Sequence, residues 1–174
     1  MITEVCPPAV QSPWLCGQTD SGALLSLSLR TRARGEAKRA DGGTDAVPRS
    51  LSAAHFGLDS RGFLIGPSLA QRLGIGFVLI RKKGKLPGPT ESVSYDLEYG
   101  KAELEIQSDA VEPGQKVVIV DDLLATGGTM CAACELMKRL KAEVLECLVV
   151  IELKFLKGSE KLKSIPFYSL LQYD

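Results

Sequence analysis

Val117-Val118-Ile119-Val120-Asp121-Asp122-Leu123-Leu124-Ala125-Thr126-Gly127-Gly128-Thr129 is the stretch on which the reading of this chain turns. Four consecutive branched apolar residues without polar alternation describe a strand covered on both faces, as in the middle of a parallel sheet. The strand delivers two carboxylates to its carboxyl end, where open α/β sheets bind ligands. A turn of Thr126, Gly127, Gly128 and Thr129 then feeds a helix. Glycines let the backbone approach a ligand closely, several N–H groups converge on one hollow, and the helix dipole favours an anion there. The threonine hydroxyls add donors. Paired acids beside an anion site make sense if the ligand also presents vicinal sugar hydroxyls, or a Mg²⁺ ion bound to it, so the loop reads as a binder of a ribose 5-phosphate group. An ordinary βα turn accounts for each feature singly but not for their convergence. No Gly-Lys-Ser/Thr follows, which excludes a P-loop, and the glycine spacing is not that of a dinucleotide fingerprint.

Downstream, Met130, Ala133, Cys134, Met137 and Leu140 recur at helical spacing and predict a helix over about 128–142 with one buried face. Lys138, Arg139 and Lys141 sit in its last turns, where they complement the dipole. Continuous apolar runs at 55–58, 77–80, 144–153 and 167–171 predict further buried strands, and a helix is expected from Pro67 to Leu73, stopped by Gly74. Strands alternating with helices make the class α/β, with a mostly parallel central sheet flanked by helices. Residues 93–107 alternate instead: Val93, Tyr95, Leu97 and Tyr99 face one way, and Ala102, Leu104 and Ile106 resume that face beyond Gly100. That pattern predicts a two-stranded hairpin turning near Tyr99-Gly100, mobile until a ligand covers it.

Arg61 follows the first buried strand, and Arg81, Lys82, Lys83 and Lys85 follow the next, all at the end of the sheet that carries the anion loop. A solvated edge is the plain alternative for such a basic run, but its position after a buried strand favours a ligand-facing role. Glu98 is by spacing either a proton-handling group or a solvent-facing strand residue. Cys131-Ala132-Ala133-Cys134 lies within the helix rather than before it, so a packed helix face is favoured over a redox site.

The 174 residues suffice for one well-packed domain, and 21 Lys and Arg balance 21 Asp and Glu. That balance argues against bulk-charge binding to nucleic acid or a membrane surface, and no apolar run approaches membrane-spanning length. Five cysteines make a poor disulfide framework, and a single histidine, His55, leaves no zinc cluster to assemble. No resident metal site is expected, and a reduced, cytoplasmic setting fits best. Residues 1–54 read differently. Ser, Thr, Gly and Pro are scattered among clustered arginines, so this segment is expected to be irregular or disordered, ahead of a compact domain at 55–174. The arginines would suit a transit peptide, but the acids Glu4, Asp20, Glu36, Asp41 and Asp45 would not.

With these motifs in order, the chain resembles the type I phosphoribosyltransferase family, most fully the adenine phosphoribosyltransferases, from about residue 57 to residue 174. The resemblance is carried by Val120-Asp121-Asp122 with its loop, Gly57-Leu58-Asp59-Ser60-Arg61-Gly62-Phe63, Arg81-Lys82-Lys83-Gly84-Lys85-Leu86-Pro87-Gly88-Pro89, and Leu97-Glu98-Tyr99-Gly100-Lys101-Ala102-Glu103. It implies transfer of phosphoribosyl from phosphoribosyl diphosphate (PRPP) to adenine, giving AMP and diphosphate, with Mg²⁺ bound mainly through PRPP and a homodimeric assembly. It assigns Asp121 and Asp122 to the ribose, and Ala125, Thr126, Gly127, Gly128 and Thr129 to the 5-phosphate. It further assigns Arg61, Arg81 and Lys85 to the diphosphate, some across a dimer interface, and Leu123 to the base. Glu98 becomes the catalytic proton handler, and Tyr99 covers the sugar or packs. Residues 1–54 depart from the family, lacking its aromatic, proline-rich segment and its first core helix. That departure leaves open a PRPP- or AMP-binding module without turnover, or an inactive dimer partner.

Overall fold

The computed structural model describes residues 53–96 and 100–174. Seven strands form one sheet: β1 (Ala54–Leu58), β2 (Gly76–Lys82), β3 (Thr90–Asp96), β4 (Lys101–Gln107), β5 (Lys116–Leu124), β6 (Glu143–Leu153) and β7 (Phe167–Tyr173). Two α-helices, α1 (Gly62–Leu73) and α2 (Gly128–Arg139), and two short 3₁₀ turns, Lys154–Leu156 and Ser159–Leu162, complete the described elements. The strand order is β3-β4-β2-β1-β5-β6-β7. The five strands from β2 to β7 in that order run parallel, whereas β4 joins β2 antiparallel and β3 joins β4 antiparallel. The mostly parallel α/β sheet expected from the apolar runs is therefore present.

Connectivity fixes where a ligand can go. From β1 the chain moves to β2 on one side, while β5 lies on the other side of β1. The connections leaving β1 and β5 diverge, and a crevice opens outside their carboxyl ends. Phe56, Leu58, Ile80, Ile119, Leu104 and Ile106 are fully buried and join Met130, Leu136 and Met137 of α2 in one core cluster. Met130, Ala133, Cys134 and Met137 are buried as the helical spacing predicts; Ala132 and Leu136 widen the stripe, and Leu140 lies just past the helix end.

Three boundaries differ from expectation. Helix α1 begins at Gly62, five residues before Pro67, which stands inside it. Gly62, Gly66 and Pro67 are poor helix formers, so propensity hides this start, but packing demands small residues there. A Cβ on Gly62 would stand 2.5 Å from the Val120 carbonyl oxygen, and Gly66 lies flat against the Phe77 ring. Gly74 does end the helix, in the left-handed conformation at φ 68, with its N–H reaching back to the Ala70 and Gln71 carbonyls. Helix α2 stops at Arg139 rather than Ala142, and β5 runs on to Leu124, so Asp121 and Asp122 lie within the strand's final stretch.

The hairpin is present, with Tyr95 opposite Ala102 and Asp96 opposite Lys101. It is not isolated, however. β4 pairs with β2, and Val93, Leu104 and Ile106 belong to the core, so the base of the hairpin is the edge of the sheet itself. Of the expected irregular segment, Ala53 and Ala54 are described, Ala54 as a buried strand residue, and residues 1–52 lie outside the described residues. Among the described residues, no helix is long and apolar enough to cross a membrane.

Candidate functional site

A cavity of about 470 Å³ opens at the carboxyl ends of β1 and β5. Its floor is the segment leaving β5. Asp121, Asp122, Leu123, Ala125, Thr126, Gly127, Gly128 and Thr129 all line it, which brings the whole predicted loop together. The helix entry explains its character. Gly127, at φ 78, occupies the N-cap of α2, and no side chain caps the first turn, nor is any acidic residue found there. The first-turn N–H groups are therefore left pointing into the cavity mouth with the positive end of the helix dipole behind them. An anion is the natural complement.

The backbone of this loop is held from below. A Cβ on Gly127 would stand 2.5 Å from the Gly158 carbonyl oxygen, and Gly158 in turn packs on the Ala125 carbonyl and the Gly127 nitrogen. No motif in the sequence marks Gly158, which arrives from the segment after β6.

The acids form the second feature. Asp122 N–H donates to Asp121 Oδ1 at 2.9 Å, and Arg61 Nε lies 2.7 Å from Asp122 Oδ2. Burial first, and then the neighbouring Asp122 carboxylate, push the Asp121 carboxyl up to about 7, against the pull of the Asp122 N–H and the Arg61 charge. Asp121 is thus an acceptor poised to ionise near neutrality, and Asp122 is matched by a guanidinium that is itself 65% exposed and reachable from the cavity.

Asp59, Ser60 and Arg61, leaving β1, form the opposite wall; the Asp59–Ser60 peptide is cis. Asp59 was not singled out by sequence, yet its side chain is only 5% exposed and draws the basic run together. Its Oδ2 lies 3.1 Å from Lys85 Nζ and 3.4 Å from Arg81 Nε, and accepts the Lys82 N–H at 3.4 Å. Burial raises the Asp59 carboxyl, but the Lys85 ammonium and the Lys82 N–H outweigh it and hold it below the ordinary range. The Arg81 guanidinium also lies over the Phe63 ring, 5.9 Å from its centroid. Neither Arg81 nor Lys85 lines the cavity; Lys82 does. Arg81 and Lys82 are neighbours on a strand and so point to opposite faces.

Tyr95 and Ala102, the cross-strand pair near the hairpin's end, also border the cavity. Tyr95 reaches within 3.7 Å of where a Cβ on Gly128 would stand, so the hairpin base already leans on the anion loop. Glu98 and Tyr99 lie outside the described residues.

Other groups stand apart from the cavity. His55 is inside β1, 1% exposed, with Nδ1 lacking a hydrogen-bond partner, and burial lowers its pKa to about 4. Cys131, Cys134 and Cys147 are free thiols; Cys134 packs on the buried helix face with its Sγ 3.5 Å from that of Cys147.

The sequence profile of the phosphoribosyl transferase domain family matches residues 55–172. Adenine phosphoribosyltransferases from Rattus norvegicus and Bos taurus are 77% and 75% identical to this chain over 118 residues. That stretch is 68% of this chain and 66% of each relative, just under two thirds of the relatives' length. Among solved structures, the adenine phosphoribosyltransferase from Saccharomyces cerevisiae, crystallised with an imino-altritol bisphosphate and adenine, superposes with a TM-score of 0.70 at 42% identity. The superposition covers 86% of this chain and 77% of that one. The Giardia lamblia enzyme, bound to 9-deazaadenine, gives 0.67 at 33% identity over 88% of this chain and 81% of its own.

Proposed function

Because the chain belongs to the phosphoribosyl transferase domain family, we propose that it transfers phosphoribosyl from PRPP to N9 of adenine, giving AMP and diphosphate. One observation carries this reading: an uncapped helix N-terminus beside two carboxylates in a single cavity at the β1/β5 switch point. The first suits a 5-phosphate, and the second suits the hydroxyls of the ribose that bears it.

In this reading the backbone of Ala125, Thr126, Gly127, Gly128 and Thr129 and the two threonine hydroxyls hold the 5-phosphate. Asp121 and Asp122 accept hydrogen bonds from the ribose hydroxyls, and Leu123 packs near the base. Arg61, the backbone around Ser60 and Lys82 take the diphosphate. As the bond from C1′ to the diphosphate oxygen lengthens, positive charge grows on the ribose, and the nearby carboxylates stabilise it. A unit charge pair about 4 Å apart is worth about 4 kcal/mol at an effective dielectric of 20 but about 1 kcal/mol in bulk water, so excluding water matters. The hairpin over the cavity supplies that exclusion. As the C1′–oxygen bond breaks and diphosphate departs, N9 bonds to C1′, and the proton the purine then carries in excess passes to Glu98.

Mg²⁺ would be held mainly through the oxygens of PRPP. The donor set fits such an ion: Asp121 and Asp122, which line the cavity, would offer hard carboxylate oxygens to it beside those of PRPP. Bound there, it would neutralise charge on the departing diphosphate. The same reading includes a homodimer, in which some of the basic residues Arg61, Arg81 and Lys85 reach a diphosphate across the interface. Free thiols at Cys131, Cys134 and Cys147 suit a reducing, cytoplasmic compartment.

The test is direct. Purified protein is incubated with radiolabelled adenine, PRPP and Mg²⁺, and label is expected in AMP and lost on Glu98→Gln. AMP binding without any conversion of adenine would contradict the proposal.

A further inference from the structure

Two carboxylates with little solvent exposure hold the basic turn after β2, and only one of them, Asp59, borders the cavity. The other is Glu105, 3% exposed on β4 and opposite Arg81 in the β2–β4 register. Its Oε1 accepts the backbone N–H groups of Lys85 and Leu86, each at 2.8 Å. Gly84, at φ 82, turns the chain so that successive N–H groups point back at this one oxygen. Burial works to raise the Glu105 carboxyl, but the Leu86, Gly84 and Lys85 N–H groups and the Lys83 charge outweigh it, so the group stays ionised at neutral pH. A buried carboxylate satisfied by backbone N–H groups holds them in place in return, because leaving the buried charge unpaired is strongly unfavourable.

The turn so held follows directly on the cavity's lysine, Lys82, the last residue of β2. Lys82 lines the cavity while its N–H and the Lys85 ammonium both end on Asp59, next to Ser60 and Arg61. Lys83 adds a second tie to β4 through its N–H to the Glu103 carbonyl at 3.0 Å. We propose that Glu105 is a positioning residue for the diphosphate end of the substrate, holding the backbone of 84–86 so that Lys82 stays on the cavity wall and Lys85 on Asp59. Because Glu105 sits on β4, its hydrogen bonds tie the hairpin strand to the basic turn. The inference rests on the proposed function, since it concerns how that same cavity grips PRPP.

Calorimetric titrations with PRPP plus Mg²⁺ in the absence of adenine, and separately with AMP, test it on the full chain. Glu105→Ala removes the acceptor, Glu105→Asp shortens it beyond reach of the turn, and Glu105→Gln keeps an oxygen in place. Glu105→Ala and Glu105→Asp are expected to weaken PRPP about tenfold and AMP by less than about twofold, with Glu105→Gln within about threefold of wild type for both. Equal losses for PRPP and AMP, no loss at all, a Glu105→Gln as impaired as Glu105→Ala, or failure of all three variants to fold would show a merely structural role and overturn the proposal. If Glu105→Ala alone is unstable, Glu105→Asp against Glu105→Gln carries the comparison. Wild-type protein that binds neither ligand would remove the proposed function and this inference together; wild-type protein that binds both, matched by every variant, would remove the inference alone.

Discussion

Gly127 and Gly158 meet backbone to backbone. A Cβ on Gly127 would come 2.5 Å from the Gly158 carbonyl oxygen, and Gly158 packs on the Ala125 carbonyl from the other side. Two peptide units that close cannot both accommodate a side chain, because the obstructing atoms are main-chain and cannot swing away.

Gly158→Ala is therefore expected to displace the anion loop rather than unfold the sheet, since the added methyl presses on Ala125 and Gly127. AMP affinity should fall about tenfold or more while far-UV circular dichroism is unchanged. Calorimetric titration checks this, and wild-type affinity in the variant would show that the contact does not shape the loop.

Asp121 predicts a trade between stability and binding. Its folded pKa of about 7 lies above the ordinary carboxyl value of 3.8, so the folded state holds this proton more tightly than the unfolded chain. The resulting stability is full below about pH 4 and is lost as pH rises through about 7. Asp121→Asn should thus raise the unfolding free energy of the ligand-free protein at pH 8 by on the order of 3 kcal/mol and change it little at pH 4. The same variant should bind AMP more weakly at pH 8, where wild-type Asp121 is ionised and accepts from the ribose. Denaturant titrations at the two pH values decide it; equal effects at both would contradict the assignment.

His55 works with the opposite sign. Its folded pKa of about 4 lies below the ordinary 6.5, so the folded state excludes a proton that the unfolded chain accepts. Stability is full above about pH 6.5 and falls as pH drops to about 4, by on the order of 3 kcal/mol in total. His55→Val should flatten that acid-side slope in denaturant titrations between pH 7 and 4.5. An unchanged slope would mean that the buried imidazole is not what titrates.

How much of this could be read beforehand depends on whether the signal is local. The β5–α2 segment was legible because an uninterrupted apolar run, two acids and two glycines each have one physical use in that order. The start of α1 was not, since Gly62 and Gly66 fit close contacts with Val120 and Phe77 that intrinsic propensity opposes. The basic run was visible, but which member reaches the cavity is a matter of strand phase: Lys82 lines it and Arg81 does not. Asp59, Glu105 and Gly158 were missed for a common reason. Each gains its role from a partner more than eighteen residues away, Lys85 for the first two and Gly127 for the third, so no local spacing announces it.

The central claim is that the α2 entry and the acid pair together grip a ribose 5-phosphate, and a crystal structure of the chain grown with AMP tests it most directly. The phosphate oxygens are expected within about 3 Å of the backbone nitrogens of the Thr126–Thr129 turn, with the ribose hydroxyls directed at Asp121 and Asp122. AMP bound elsewhere, or with its phosphate turned away from that turn, would contradict the account.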